Sequence, residues 1–598
     1  MLVFGYSLAA LSRRVRYYIY LKCAKSLFRC GLFDKSFRRY ISSVELSFEL
    51  GRQADNLYCA LNKYQTDKSE SDRADSVKSV LKGRLEIFNY CLVAEKFDWN
   101  IDPITGFRWE KDVWYRDSRL HLPFGTDIKR PWELSRLYFI LPVSLEYFSS
   151  KDEQLAKYVI DTVLHWSKSN PVGTAPNWSC TMEVGIRFAN IVLSLVLLSR
   201  SKYFLANQVQ LARLLNSHIG FIENNFENIS TITSNHYVAN ISGLYVGLKF
   251  LPLTSCGQRA IQFARRELEL EIAKQTLPDG HNFELSSSYH RLVFEFFYYA
   301  FRVSSPNEFS ETYKEILKHQ LHVLNTLVKP SGDIVQLGDN DSGRFLVLTG
   351  LQNLGSTWLP DDLAVFNKQL GCQHNSNEAH FHESAGVYIA KFGDFYFCVK
   401  GGRKGQCGLG GHSHNDTFSF ELQYQGKDIA IDPGVGSYTA DPALRNLFRS
   451  NSVHNGIYWK DIEESSLDKG LFCLYQESKS EQSAKLSGSV FEFHGRHEYS
   501  DRWHERTIKV DLERLTVDIF DEVSSGGAVL NITVPIAKVM QFGNRFQHAG
   551  CSFIWDDEVL VYPEAGLYSS KYGILEEAVH LRVPLPERKL ITRIRVNQ

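Results

Sequence analysis

Residues 408–434 read GLGGHSHNDTFSFELQYQGKDIAIDPG. The first part of this stretch sets His412, His414 and Asp416 two residues apart. The second part alternates apolar and polar residues and ends in the turn Asp432-Pro433-Gly434. Alternation with period two marks a half-buried strand, in which residues two apart share a face. The stretch therefore predicts a strand with a polar cluster at its mouth. The same alternation returns in AGVYIAKFGDFYFCVKGG (385–402), SAKLSGSVFEFHGRHEYSD (483–501), HERTIKVDLERLTVDIFDEV (504–523) and VLNITVPIAKVMQFG (529–543). Turn residues separate these runs, which predicts a large antiparallel β-sandwich.

Upstream the period changes. From about Trp132 to Leu327, segments such as EQLAKYVIDTVLHWSK, TMEVGIRFANIVLSLVLLSR and YKEILKHQLHVLNTLV are apolar at helical spacing. Short loops of Gly, Pro, Asn or Ser close them. Helix after helix at this length predicts paired hairpins, as in an (α/α) toroid. The expected architecture is multidomain α+β, with the toroid followed by the β-sandwich. Its parts are a helical N-terminal extension (1–90), a toroid (91–370) and a β-domain (380–598), with LGCQHNSNEAHFHESAG (370–386) as linker.

At 598 residues the chain is too long for one ordinary core. Its net charge of -1 gives no global call for nucleic acid. Aromatics make up 13%, which suits a large core and also a carbohydrate groove. The eleven cysteines include no CxxC pair, so no zinc ribbon or disulfide framework is indicated. The N-terminus carries Arg13, Arg14, Arg16, Lys22, Lys25 and Arg29 after a short apolar stretch and reads poorly as a secretion signal. Residues 1–33 fit either a docked helix or a basic amphipathic helix on a membrane surface. The expected location is cytoplasmic or membrane-peripheral.

Four polar clusters are candidates for chemistry. His412, His414 and Asp416, with Asp432 and His454 further on, supply the imidazoles and carboxylates of a divalent-metal set. Spacing does not choose among them, and solvated turn residues would look the same. Asn235 and His236 follow Ser234, a helix N-cap residue. Tyr289 and His290 follow three serines at another helix start. Asp339, Asp341 and Arg344 lie in QLGDNDSGRF, an acidic turn without the twelve-residue calcium-loop pattern.

The order SNHY, DGHNFELSSSYH, GDNDSGR, GHSHND, IDPG and RSNSVHN resembles the heparinase II/III-like family of polysaccharide lyases. TDIKRPWELSRL and NWSCTMEVGIRFAN add to the likeness, which runs from about residue 95 to the C-terminus. The resemblance implies a site in a cleft between toroid and sandwich, and β-eliminative cleavage of a uronic-acid-containing polysaccharide. Such a reaction needs the uronate charge offset, a base for the C5 proton and an acid for the 4-O leaving group. By motif position Asn235 looks like the carboxylate neutraliser, His236 like a base, Tyr289 like the acid and, in a syn elimination, also the base. His412 looks like a second catalytic imidazole. His414, Asp432 and His454 look like ligands of a mainly structural Zn²⁺. Arg187, Arg344 and Arg449 are candidates for binding substrate acid groups or bracing the cleft. Where some family members carry a glutamate three residues after the SNH histidine, this chain has Ala239, which removes an expected support for His236. With no clear secretion signal read at the N-terminus, the resemblance is to family members associated with bacterial capsule or exopolysaccharide metabolism, which is the expected setting. A uronate C5-epimerase on the same scaffold, or a non-catalytic glycan-assembly factor, are the competing functions.

Overall fold

The computed structural model describes residues 8–597 except 44, 63–66, 89, 94–96, 119–121, 349–358, 373–377, 536–539 and 543. The chain divides into two compact units. Unit 1 holds residues 1–274, 292–317 and 344–354. Unit 2 holds 275–291, 318–343 and 355–598.

Unit 1 is built mainly from successive helices, among them Ile140–Ser150, Glu153–Ser169, Thr181–Leu197, Lys202–Asn224 and Asn235–Leu248. Thr181–Leu197 is buried along its whole length, as its all-round apolar sequence requires. It crosses Asn235–Leu248 in backbone contact: a Cβ on Gly243 would stand 2.3 Å from the Gly185 carbonyl oxygen. That crossing fixes the helix whose first residues are Asn235 and His236. The stretch WELSRLYFILPVSLEYF (132–148), apolar at helical spacing throughout, holds parts of two helices, Lys129–Ser135 and Ile140–Ser150. The break at Leu137 (φ 58°) puts Pro142 in a first turn, where its missing N–H costs no helical hydrogen bond. The expected helical N-terminal extension, 1–90, also contains the strand Arg84–Ile87, which pairs antiparallel with Tyr90–Val93.

The N-terminal helix Leu8–Arg29 buries Ala24, hydrogen-bonds Tyr17 to Asn225, and pairs Lys25 with Asp117 at 2.7 Å. Val15, Tyr18 and Ile19 are exposed on it. Residues 1–7 of the predicted surface helix lie outside the described residues. Among the described residues no helix is long and apolar enough to cross a membrane.

Unit 2 is an antiparallel β assembly. A five-stranded meander (Ala379–His382, Val387–Phe392, Phe395–Lys400, Phe420–Tyr424, Lys427–Ala430), an eight-stranded sheet and a four-stranded sheet contribute to one apolar core. Phe397 and Phe420 come from the first, Phe491, Ile508 and Ile519 from the second, and Leu530 and Leu581 from the third. The first strand of the meander falls inside the stretch 370–386 that composition marks as linker; residues 373–377 of that stretch lie outside the described residues. Segments 275–291 and 318–343, helical-half residues by sequence order, cluster with the β-strands. They bring Glu284, Tyr289 and Asp339 into unit 2.

Candidate active site and metal-ligand groups

The expected polar strand mouth is irregular backbone. Residues 411–419 precede the strand Phe420–Tyr424. His412 and His414 nevertheless reach one partner, Asp339: His412 Nδ1 lies 2.9 Å from Oδ2, and His414 Nε2 lies 2.9 Å from Oδ1. Asp416 does not join them. It forms a buried ion pair with Lys400, at 2.6 and 2.5 Å. A coil has no fixed period-two face, so the third side chain turns away.

Asp339 is the hub of the cluster. It is fully buried and accepts from the guanidinium of Arg445 with both oxygens, Nη2 to Oδ2 at 2.7 Å. Burial works against the carboxylate's charge, but Arg445 and the two imidazoles outweigh it and hold Asp339 well below the usual carboxylate range. Arg445 sits on the helix Pro442–Arg449, which starts at an Asp441 N-cap with proline in its first turn. Gly338 lets the hub form: its φ is 65°, and a Cβ there would lie 2.3 Å from the His412 carbonyl oxygen.

Tyr289 opens the helix Ser287–Val303, its N–H directed to Ser286 Oγ at 3.2 Å. Ser286 Oγ in turn donates to the Asp339 carbonyl and Ser287 Oγ to the Val335 carbonyl, each at 2.5 Å. The serines that precede Tyr289 thus dock the helix start against the Asp339 segment. The Tyr289 ring stacks on His412 with centroids 3.6 Å apart and planes 17° apart. Its hydroxyl is 3.2 Å from that of Tyr438. Burial, then the charges of Asp341 and Asp339, push the Tyr289 phenol well above its ordinary value, so it is a neutral hydroxyl. The far nitrogen of His412, Nε2, lies 3.4 Å from Glu284 Oε2. Gly405 packs on that glutamate's backbone, where a Cβ would meet the Glu284 carbonyl oxygen at 2.1 Å.

His414, Asp432 and His454 lie together in unit 2, all buried, with ligand atoms within 4.8 Å of one another. The residues fit a metal. His414 Nδ1 and His454 Nε2 are buried without a hydrogen-bond partner among the described residues. His414 Nε2 is held by Asp339, the outer-shell carboxylate arrangement that orients a ligand imidazole. His454 Nδ1 lies 2.8 Å from Asp432 Oδ2. Burial lowers the His414 imidazole to about 4, the neutral form that coordinates.

In unit 1, His236 Nδ1 lies 3.0 Å from Glu227 Oε1 and 3.7 Å from Cys180 Sγ. Glu227 also accepts from the Met182 N–H at 2.9 Å and from Asn240 at 3.0 Å. It supplies the support that Ala239 lacks. Loss of solvent lowers the His236 imidazole, but the Glu227 charge outweighs it and raises the group well above its ordinary value. Ser234 caps the helix through the His236 N–H, and Asn235 is buried.

The three arginines are braces. Arg187 is fully buried between Trp166 and Trp178 and donates to His218 Nε2 and the Asn177 carbonyl, both at 3.1 Å. Arg344 pairs with buried Glu295 at 2.6 Å. Arg449 donates to Asn446 Oδ1 and to loop carbonyls, including Gly470 at 3.2 Å. All three are buried and committed within the fold, so they are not assigned to substrate.

Residues 43–358 match the family model described as Heparinase II/III N-terminus, and residues 374–581 match Heparinase II/III-like, C-terminal. The chain belongs to the heparinase II/III family. A heparin-sulfate lyase from Pedobacter heparinus is 23% identical over 370 residues, 54% of this family member and 51% of that enzyme. The chain thus matches about half the length of that relative. A heparin-sulfate lyase from Bacteroides thetaiotaomicron is 20% identical over 506 residues, 79% of this chain and 69% of that one. The crystal structure of a heparinase III superposes with a TM-score of 0.65 at 16% identity, covering 97% of this chain and 92% of that one. The family's toroid-plus-β fold is therefore the fold of this chain.

Proposed function

We propose that this heparinase II/III-family chain is a polysaccharide lyase that cleaves a uronic-acid-containing glycan by β-elimination. The observation that carries the reading is the Tyr289 phenol stacked on His412 at 3.6 Å, with Asp339 and Arg445 behind the imidazole. A phenol held neutral can serve both proton transfers in one concerted step. Its O–H passes to the departing 4-O while its oxygen takes the C5 proton. The C5–H electron pair becomes the C4=C5 double bond as the C4–O bond breaks, and Tyr289 ends as it began. No phenolate is needed, which suits a site that raises the tyrosine. Asn235 serves to offset the uronate carboxylate. His236, raised by Glu227, is better suited to that same cationic role than to the base role its motif position suggested. The heparin-type substrates named for the relatives favour an acidic polysaccharide. Zn²⁺ is the ion we assign to His414, Asp432 and His454, where it would tie the β-unit together.

The test is incubation of the purified chain with a panel of uronate polymers, followed by ultraviolet absorbance of a 4,5-unsaturated product. Absorbance growing with chain cleavage is expected. C5 inversion without absorbance would assign the epimerase reaction instead, and no reaction with any polymer would overturn an enzymatic role.

A further inference from the structure

A second histidine cluster in unit 2 has no part in the chemistry above. Asp279, His281 and His382 present ligand atoms within 4.8 Å of one another. His281 is only 3% exposed, and both its ring nitrogens are buried without a hydrogen-bond partner among the described residues. Its Nδ1 stands 3.7 Å from Asp279 Oδ1, beyond hydrogen-bonding distance. A buried imidazole with both nitrogens unmet is costly unless something else engages it. The His382 ring meets that of His281 at 4.6 Å and 75°. His382 Nε2 is taken by Thr326 Oγ1 at 3.0 Å, which leaves Nδ1 to coordinate.

We infer that Asp279, His281 and His382 form a second Zn²⁺ site, separate from His414, Asp432 and His454. Two imidazoles and one carboxylate are a usual zinc set, with a fourth position for water. Tetrahedral donors about 2.1 Å from zinc stand about 3.4 Å apart, so atoms already within 4.8 Å need only small side-chain adjustments. The Asp279 carboxylate accepts the N–H of Ala385 at 2.8 Å and that of His281 at 3.3 Å, with lone pairs to spare. Neighbouring His290 is excluded as a ligand. Its Nδ1 accepts the Asn282 N–H at 3.0 Å and its Nε2 meets the Gln320 carbonyl at 2.9 Å. The site would pin the turn around Gly280 to the strand Ala379–His382, and that turn leads directly into Glu284 and Tyr289. The inference does not depend on the lyase reading.

The test counts metal. The full chain is stripped with a chelator, dialysed against Zn²⁺ alone and assayed by elemental analysis, with circular dichroism confirming the fold. Two ions per chain are expected. His281→Ala and, as a second and milder variant, His382→Gln should each bind one fewer, and His281→Ala with His414→Ala none. One ion in the wild type that is lost in His281→Ala would still support this site, and would sink the His414 assignment instead. Equal zinc content in wild type, His281→Ala and His382→Gln would overturn the inference.

Discussion

His236 in unit 1 and His412 in unit 2 look alike at first. Each turns Nδ1 toward a carboxylate, Glu227 at 3.0 Å and Asp339 at 2.9 Å. Their surroundings differ. The His236 side chain is 41% exposed and its carboxylate is held by neutral groups, the Met182 N–H and Asn240. The His412 side chain is 9% exposed, roofed by Tyr289, and its carboxylate is shared with His414 and neutralised by Arg445. The Glu227 charge raises the His236 imidazole, whereas the Asp339 carboxylate is divided between two imidazoles and a guanidinium.

The strongest way to break this contrast is to remove the shared charge. Asp339→Asn should leave Arg445 buried and unpaired and cost about 3–5 kcal/mol in denaturant melts. Asp339→Asn combined with Arg445→Met should recover part of that loss. Failure of the second change to help would mean that Asp339 acts through the histidines alone.

A second test separates neighbours in the HSH stretch. His414→Ala should lose zinc from its site and lower the melting temperature, because metal bound only to the folded state adds to its stability. His412→Ala should keep that zinc and lose turnover. Elemental analysis and thermal melts of the two variants check this.

Glu227→Gln probes the other histidine. With the carboxylate gone, His236 should lose its proton at lower pH, so the alkaline limb of kcat/KM should move down by about one pH unit or more. The sign follows from the raised group: its protonated form prevails up to the folded-state value, and removing the cause brings that value down. An unmoved alkaline limb would remove His236 from the reaction.

A further test lies away from both histidines. Burial, despite Lys329, pushes the Glu421 carboxyl up to about 7, while Lys329 keeps its charge on Asp428 at 2.9 Å. The folded state then binds a proton that the unfolded chain has released above about pH 4.5. Stability should therefore fall between about pH 4.5 and 7, by on the order of 3 kcal/mol. Melts of Glu421→Gln across that window should show a flatter dependence than wild type.

Much of the fold was legible in the sequence because periodicity is local. The helices from Glu153 to Leu327 and the strands between Val387 and Phe542 that fall within the quoted alternating runs lie where helical spacing and alternation put them. The candidate site was legible only in part, because its partners are remote. Asp339 is 73 residues from His412 and reads as an acidic turn. Arg445 carries no motif at all, and Glu227 precedes His236 by nine residues where a glutamate after it was sought. The arginines carry a readable signal. Arg187 sits in a run apolar on every side, and a charge in such a helix has to be internal. For Asp279, His281 and His382, a turn and an edge strand about a hundred residues apart had to meet before the group existed.

Tyr289, in the proposed reaction, moves both protons and is otherwise a modest part of the fold. Turnover and melting temperature of Tyr289→Phe, measured on a polymer the wild type cleaves, test this most directly. Losing one hydroxyl contact to Tyr438 should shift stability by about 1 kcal/mol or less, while the rate of unsaturated product formation should fall at least about a thousandfold. Wild-type turnover by the phenylalanine variant would remove Tyr289 from both proton transfers.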